Sequence, residues 1–346
     1  MYNPSDNMNV KAIAIGVVAV VLIAGIIVDI GAVDDDSGSD GPIVVTDSSG
    51  NTHSFDVPVE KVVVFSKYIG EAMIMMGAND KVVGCYSTII TDVNYGSYYT
   101  DAVDLGTKTT GDTVVSEIAK LQPDVIISHN TNDNSLLKTT GVPVLEIGAS
   151  RISEVHDDVT ILGKILGMED EAQKILDWFD PMYEALKSVS SKSNIKFGVE
   201  SHSAKKLTMC TPNSTPGQTF DVAGVTNIYD GADGTYVYPE AGNVIPLNPG
   251  IYLVVVYKST WDKDVLKSYD ETLKSRPGWD QIDAVKNDQV YYISNDICGG
   301  MRSVVGAMFA LSLYNDAYSN FDVLETMNNY NKIAGTSFDT DLVWNF

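Results

Sequence analysis

Basic residues are scarce in this chain: 23 lysines and arginines stand against 46 aspartates and glutamates, a formal charge of −23. A surface this acidic repels phosphate backbones, and no basic tract interrupts it, which argues against nucleic acid as a partner. Cysteine is nearly absent. Cys85, Cys210 and Cys298 are scattered, odd in number and form no CxxC pair, so neither a disulfide framework nor a structural zinc site is expected. The four histidines, His53, His129, His156 and His202, do not form an H-E-x-x-H pair, and no G-x-S-x-G elbow is present. No catalytic residue and no metal site is therefore assigned. GTKTTGDT (Gly106–Thr113) approaches a phosphate-binding loop, but Asp112 stands where that loop needs lysine. An acid there repels phosphate, and the reading that remains is Asp112 or Thr113 as the cap of the next helix.

What is present begins with a 17-residue uncharged run, Ala12 to Val28, at the short end of a membrane-spanning length. Lys11 precedes it and Asp29, Asp34, Asp35 and Asp36 follow, a polarity that leaves the body outside the cell. Residues 1–33 are read as a membrane anchor or signal, with the uncleaved anchor favoured because no lipobox cysteine or small-x-small cleavage site is visible. Residues 34–42 form a flexible acidic linker.

The body alternates short apolar β-branched runs with amphipathic stretches. Val62–Phe65, Lys81–Gly84, Val125–Ile127 and the runs in NIKFGVESHS, NPGIYLVVVYKS and NDQVYYISND read as strands that are apolar on both faces. That is the pattern of parallel sheets covered by helices on both sides. The fold class is α/β: two lobes with mainly parallel sheets flanked by helices, residues 43–166 and 192–346, joined by one long interlobe helix over 167–191. In that helix Ala172, Ile175, Leu176, Phe179, Met182, Leu186 and Val189 make one apolar stripe. Pro181 interrupts it at a cost of about 3 kcal/mol, so the helix is either kinked there or is two helices.

In open α/β sheets ligands bind beyond the carboxyl ends of the strands. The polar and aromatic residues at those ends are Lys67, Tyr68, Tyr86, His129 and Arg151 before the long helix, and His202, Tyr257, Lys258, Trp261 and Arg302 after it. Lysine and arginine at such positions, in a chain short of cations, suit an anionic ligand, and the aromatic residues suit its apolar surface.

The order of VTDSSGNTHSFDVPVEKVVVF, GANDKVVGCYST, VVSEIAKLQPDVIIS, GVPVLEIGASRISEV and YYISNDICGGMRSVVGAMFALSLYNDAYSNF resembles the substrate-binding proteins of ABC importers for ferric siderophores and cobalamin, over nearly the whole chain after residue 42. That resemblance implies a two-lobed binder that delivers a ferric chelate or a corrinoid to an ABC permease and ATPase, without an intrinsic cofactor. It implies that Glu117 docks on the permease and that Glu240 supplies the second acid, although Gly250 replaces the usual aspartate after Pro249. It also implies that Arg302 faces the cleft. A monomer anchored on the outer side of the cytoplasmic membrane is expected. The alternatives on the same scaffold are an extracellular enzyme, which would need a clustered nucleophile and base, and a surface binding or sensor protein without transport.

Overall fold

The computed structural model describes residues 41–346 apart from Asn130 and Ala204, and leaves out the side chains of Asp112 and Lys258. The expected anchor over 1–33 and nearly all of the linker lie outside the described residues, as does the Lys258 side chain.

The body opens with a hairpin, β1 (Ile43–Thr46) against β2 (Thr52–Phe55), in antiparallel register. Asp47 ties its turn: Oδ1 accepts the amides of Ser49 and Asn51 at 3.0 and 2.8 Å, while Oδ2 meets His53 Nε2 at 3.0 Å and the amide of Glu146 at 3.1 Å. Burial raises the Asp47 pKa, but His53 and the backbone donors outweigh it and hold the carboxyl below its ordinary value.

The first sheet contains β3 (Val62–Phe65), β4 (Val82–Cys85), β5 (Val103–Asp104), β6 (Val125–Ser128) and β7 (Val144–Glu146) in the order β5-β4-β3-β6-β7. Every pairing in it is parallel. Helices α1 (Lys67–Met75), α2 (Ser87–Ile90), α3 (Asp112–Leu121) and α4 (Val155–Leu166) alternate with these strands. Ser66 caps α1, its Oγ meeting the Ile69 amide. The α3 cap differs from expectation. It is Gly111, at φ +132°, with no side-chain cap, because the backbone turns there through a conformation that an L side chain resists.

The single long tie to the second lobe is α5 (Glu169–Lys187), one continuous helix with Pro181 inside it. Ala172, Ile175, Leu176, Phe179 and Leu186 are buried as the stripe requires, and Trp178 joins them. Pro181 is tolerated because it lies on the exposed side. The carbonyl it leaves without an amide belongs to Asp177, also exposed, where water can serve it.

The second sheet is mixed: β8 (Lys196–Ser201), β9 (Met209–Cys210), β10 (Thr226–Asn227), β11 (Tyr236–Val237), β12 (Ile251–Val256), β13 (Val290–Ser294) and β14 (Val343–Asn345). The order is β11-β9-β8-β12-β13-β14, with β10 on β8. β8, β12 and β13 form the parallel centre, and all six residues of β12 are buried. β9, β11 and β14 run antiparallel at the sides. They leave no mark in the sequence pattern, because a strand of two or three residues has no measurable period. Helices α6 (Thr215–Val222), α7 (Lys263–Lys274), α8 (Asp283–Lys286), α9 (Ser303–Ser312) and α10 (Val323–Ala334) complete the lobe. One hydrophobic core runs through both lobes, from Val62 and Val64 through Trp178 and Phe179 to Val304 and Tyr330.

Candidate ligand cleft between the lobes

Parallel strands end on one edge, so the first lobe presents Lys67, Tyr68, Tyr86 and His129 together, with Ser150 and Arg151 following β7. The parallel centre of the second lobe does the same with His202 and Tyr257. The two edges meet at Tyr68. A Cβ on Gly300, at φ +70°, would fall 2.3 Å from Tyr68 Cδ1, and one on Gly299 would fall 2.4 Å from its hydroxyl and 2.9 Å from Thr215 Cγ2. Only glycine lets the ring settle there. The Gly300 amide donates across the same seam to the Ser150 carbonyl at 3.1 Å. Burial pushes the Tyr68 phenol above its ordinary range, so it remains a neutral donor.

On the first lobe's rim, Lys67 Nζ stands 5.3 Å from the Tyr68 ring centre and Tyr86 packs edge-on against Phe65. The amide of Thr131 donates to His129 Nδ1 at 3.1 Å. The proton therefore sits on Nε2, which donates to Ser150 Oγ at 2.6 Å, and Ser150 passes a weaker bond to Glu154 at 3.4 Å. Burial lowers the His129 pKa, against the opposing pull of Glu154, so the ring is neutral at pH 7. Arg151 is exposed, with Nη1 3.7 Å from Glu154 Oε1.

On the second lobe's rim, the His202 ring stacks on Tyr269 at 3.7 Å, and burial lowers its pKa as well. Tyr257 is half exposed. Trp261 donates its indole N–H to the Asp341 carbonyl at 2.6 Å, which orders the start of α7 against the C-terminal segment. Two residues that no sequence pattern marks stand on the cleft side of β11 and β9: Lys206 Nζ lies 3.2 Å from the ring centre of exposed Tyr238. The ladder Val237–Met209–Glu200–Val254 places them level with the end of β8.

Arg302 does not face the cleft. It is 1% exposed, and its Nε and Nη2 bind the Glu71 carboxylate at 2.7 and 3.1 Å. The residue expected to meet a ligand is spent on another side chain. The one signal of its partner in the sequence is that Glu71 is a lone charge inside the apolar run of α1.

Glu117 and Glu240 are on the surface. Glu117 pairs with Lys120 one turn on at 2.6 Å and lines a depression of about 350 Å³ with Asp104, Gly106, Lys108 and Thr110. Glu240 stands just before a turn of 3-10 helix, Ala241–Asn243. Among the described residues no group of three or more His, Cys, Asp or Glu side chains is placed to hold a metal ion. All three thiols are buried and free, and burial pushes Cys85 and Cys210 up to about 12. Among the same residues no helix is long and apolar enough to cross a membrane.

Two α/β lobes tied by one helix, with strand ends facing across a shared seam, define a two-lobed solute-binding protein. Residues 62–297 match the family described as periplasmic binding protein, and the chain belongs to that family. It is 24% identical to the uncharacterised ABC transporter substrate-binding lipoprotein YvrC of Bacillus subtilis, over 80% of this chain and 87% of that one. It is 25% identical to the Fe(3+)-citrate-binding protein YfmC of the same organism, over 54% of this chain and 58% of that one. The TroA-like periplasmic binding protein FepB from Veillonella parvula has the same fold, with a TM-score of 0.73 at 17% identity, over 88% of this chain and 100% of that one. Membership of that family makes this chain a binding protein and not an enzyme.

Proposed function

We propose that the protein is the substrate-binding subunit of an ABC importer, held at the outer face of the cytoplasmic membrane, and that it captures an anionic ferric chelate. The observation that supports this reading is the meeting of the two strand-end rims at Tyr68, packed against Gly299 and Gly300; Lys67, Tyr86, Arg151, Tyr257 and Lys206 follow strand ends on those rims and are the side chains we assign to the ligand. Cations beside aromatic rings suit a ligand with carboxylate or phenolate edges and an apolar body. Membership of the family and the likeness to a ferric-citrate-binding protein support the same choice. A corrinoid would use the aromatic rings but offers the cations only its single phosphodiester.

Thermal melts of the full chain with ferric citrate, a ferric trihydroxamate and cyanocobalamin test the proposal. A ligand at a hundred times its Kd raises stability by about 2.7 kcal/mol, which is read as a clear rise in Tm. A rise with an iron chelate supports the reading; no rise with any of the three, or a rise with the corrinoid alone, overturns it.

The docking role of Glu117 follows from the same reading. Its pair with Lys120 is exposed, and pairs of that kind contribute about 0–1 kcal/mol, so Glu117 is free to serve a partner's cation instead. Glu117→Lys is expected to abolish chelate uptake by whole cells while leaving the chelate affinity of the isolated protein unchanged. Unaltered uptake would remove Glu117 from the docking surface. Glu240→Lys, measured in the same way, tests the second acid.

A further inference from the structure

A binding role gives no task to a group of buried charges that lies between the lobes. Glu71 sits in α1, one turn after Tyr68, and its carboxylate accepts Arg302 Nε and Nη2 together with the hydroxyls of Tyr95 and Tyr330. Glu71 and Tyr95 belong to the first lobe, Arg302 and Tyr330 to the second. Arg302 Nη1, which makes no hydrogen bond among the described residues, lies 3.5 Å from Asp296 Oδ2. The same Asp296 oxygen accepts Asn94 Nδ2 of the first lobe at 2.9 Å. Phe338, from the C-terminal segment, covers the group, with its ring centre 5.4 Å from the guanidinium and 5.5 Å from that of Tyr95.

The apolar core that surrounds this group also crosses from lobe to lobe, but apolar contact has no preferred direction. A guanidinium fork on a carboxylate has one register, and two ordered phenols narrow it further. The covalent tie is less exacting: α5 lacks one rung of its hydrogen-bond ladder at Pro181, a place where helices bend. We propose that Glu71 and Arg302 form an interlobe clasp that sets the width of the ligand cleft. In this arrangement α5 holds the lobes together and the clasp holds them at one spacing. Lys67 and Tyr68, at the head of α1, are thereby kept at a fixed distance from Tyr257 on the opposite rim. Buried ion pairs of this kind often exchange for apolar residues without loss of stability, so specificity of arrangement is what such a pair adds.

The test needs no ligand and so stands apart from the transport reading. Spin labels at Asp101→Cys on the first lobe and Asp233→Cys on the second, both exposed positions, report the interlobe distance in the full chain by double electron–electron resonance, the native thiols being buried. The unaltered pair is expected to give one narrow distribution. The double variant Glu71→Met/Arg302→Met is expected to keep its fold, to melt at a lower temperature because the Tyr95 and Tyr330 hydroxyls and Asp296 lose a partner, and to show a longer-distance population of about one molecule in ten or more. Glu200→Met/Arg276→Met, which removes a buried pair within the second lobe, is expected to leave the distribution narrow. An unchanged distribution in the Glu71/Arg302 variant overturns the proposal, and so does equal broadening in both variants. A Glu71/Arg302 variant that no longer folds overturns it too, because the clasp is assigned to the spacing of the lobes and not to their folding.

Discussion

Two buried arginine–glutamate pairs in this molecule share their chemistry and differ in what they connect. Arg276 forks onto Glu200 at 2.8 and 2.9 Å, with the Tyr252 hydroxyl on the same carboxylate at 2.8 Å, all inside the second lobe. Arg302 forks onto Glu71 with two tyrosines on the carboxylate, and the partners come from different lobes. Arg276 remains 22% exposed and stacks on Trp279, whereas the Arg302 side chain is 1% exposed. Water can relax the first pair when it is damaged and cannot reach the second. The same side-chain chemistry thus ties Arg276, just after α7, to the centre of a sheet in one place and sets a relation between lobes in the other.

Halving each pair should separate them first. Removing one partner of a buried ion pair leaves an uncompensated charge and costs about 3–5 kcal/mol. Arg302→Ala or Glu71→Ala is expected at the upper end of that range and Arg276→Ala at the lower, because water reaches the Arg276 side. Urea denaturation measures both, and equal losses would erase the contrast drawn from exposure.

A smaller step sharpens the same comparison. Tyr330→Phe removes one hydroxyl from Glu71 and keeps the ion pair, so a loss of about 1.5–3 kcal/mol is expected, as for a hydrogen bond to a charged group. Tyr252→Phe removes the corresponding donor from Glu200. Unchanged stability in Tyr330→Phe would mean that the carboxylate is satisfied without that hydroxyl.

The smallest effect compares the two rims. Burial depresses the pKa values of both His129 and His202 below the ordinary value of 6.5. A histidine depressed in the folded state binds its proton more readily when unfolded, so its penalty is absent above pH 6.5 and grows as pH falls from there toward the folded pKa. Replacing His129 by Gln is expected to flatten the part of the stability–pH curve below 6.5 that His129 contributes, and His202→Gln to do so separately. Curves identical to that of the unaltered protein would show that neither ring is held neutral. Asp158 works in the opposite direction, since burial raises its carboxyl pKa, so the reading lies in the difference between curves.

Much of the framework is legible in the residues alone. β3, β6, β12 and β13 are short, largely apolar runs whose burial on both faces follows from composition, and the stripe in α5 follows from helical period, whereas the burial of Glu200 in β8 (KFGVES) does not. Lys67, Tyr86, His129 and Tyr257 can be placed at the carboxyl edges of the two sheets because parallel strands end on one edge. Lys206 and Tyr238 cannot be, because β9 and β11 are too short to announce themselves and only pairing with β8 brings them level with the rim. Arg302 reads as a cleft residue because a charged side chain near a strand end is ordinarily exposed. Its partner is 231 positions away, and nothing local to either residue reveals the match.

What the sequence determined by itself, then, is what depends on neighbours a few residues apart: the central strand runs, the long helix between the lobes and the acidic surface. The tertiary structure decided which charges are spent. Glu71 lies in apolar surroundings where a lone charge is costly, and the docking of the second lobe brings the Arg302 guanidinium that makes its burial tolerable, while Arg302 has Asp296 of its own lobe at 3.5 Å as well as Glu71.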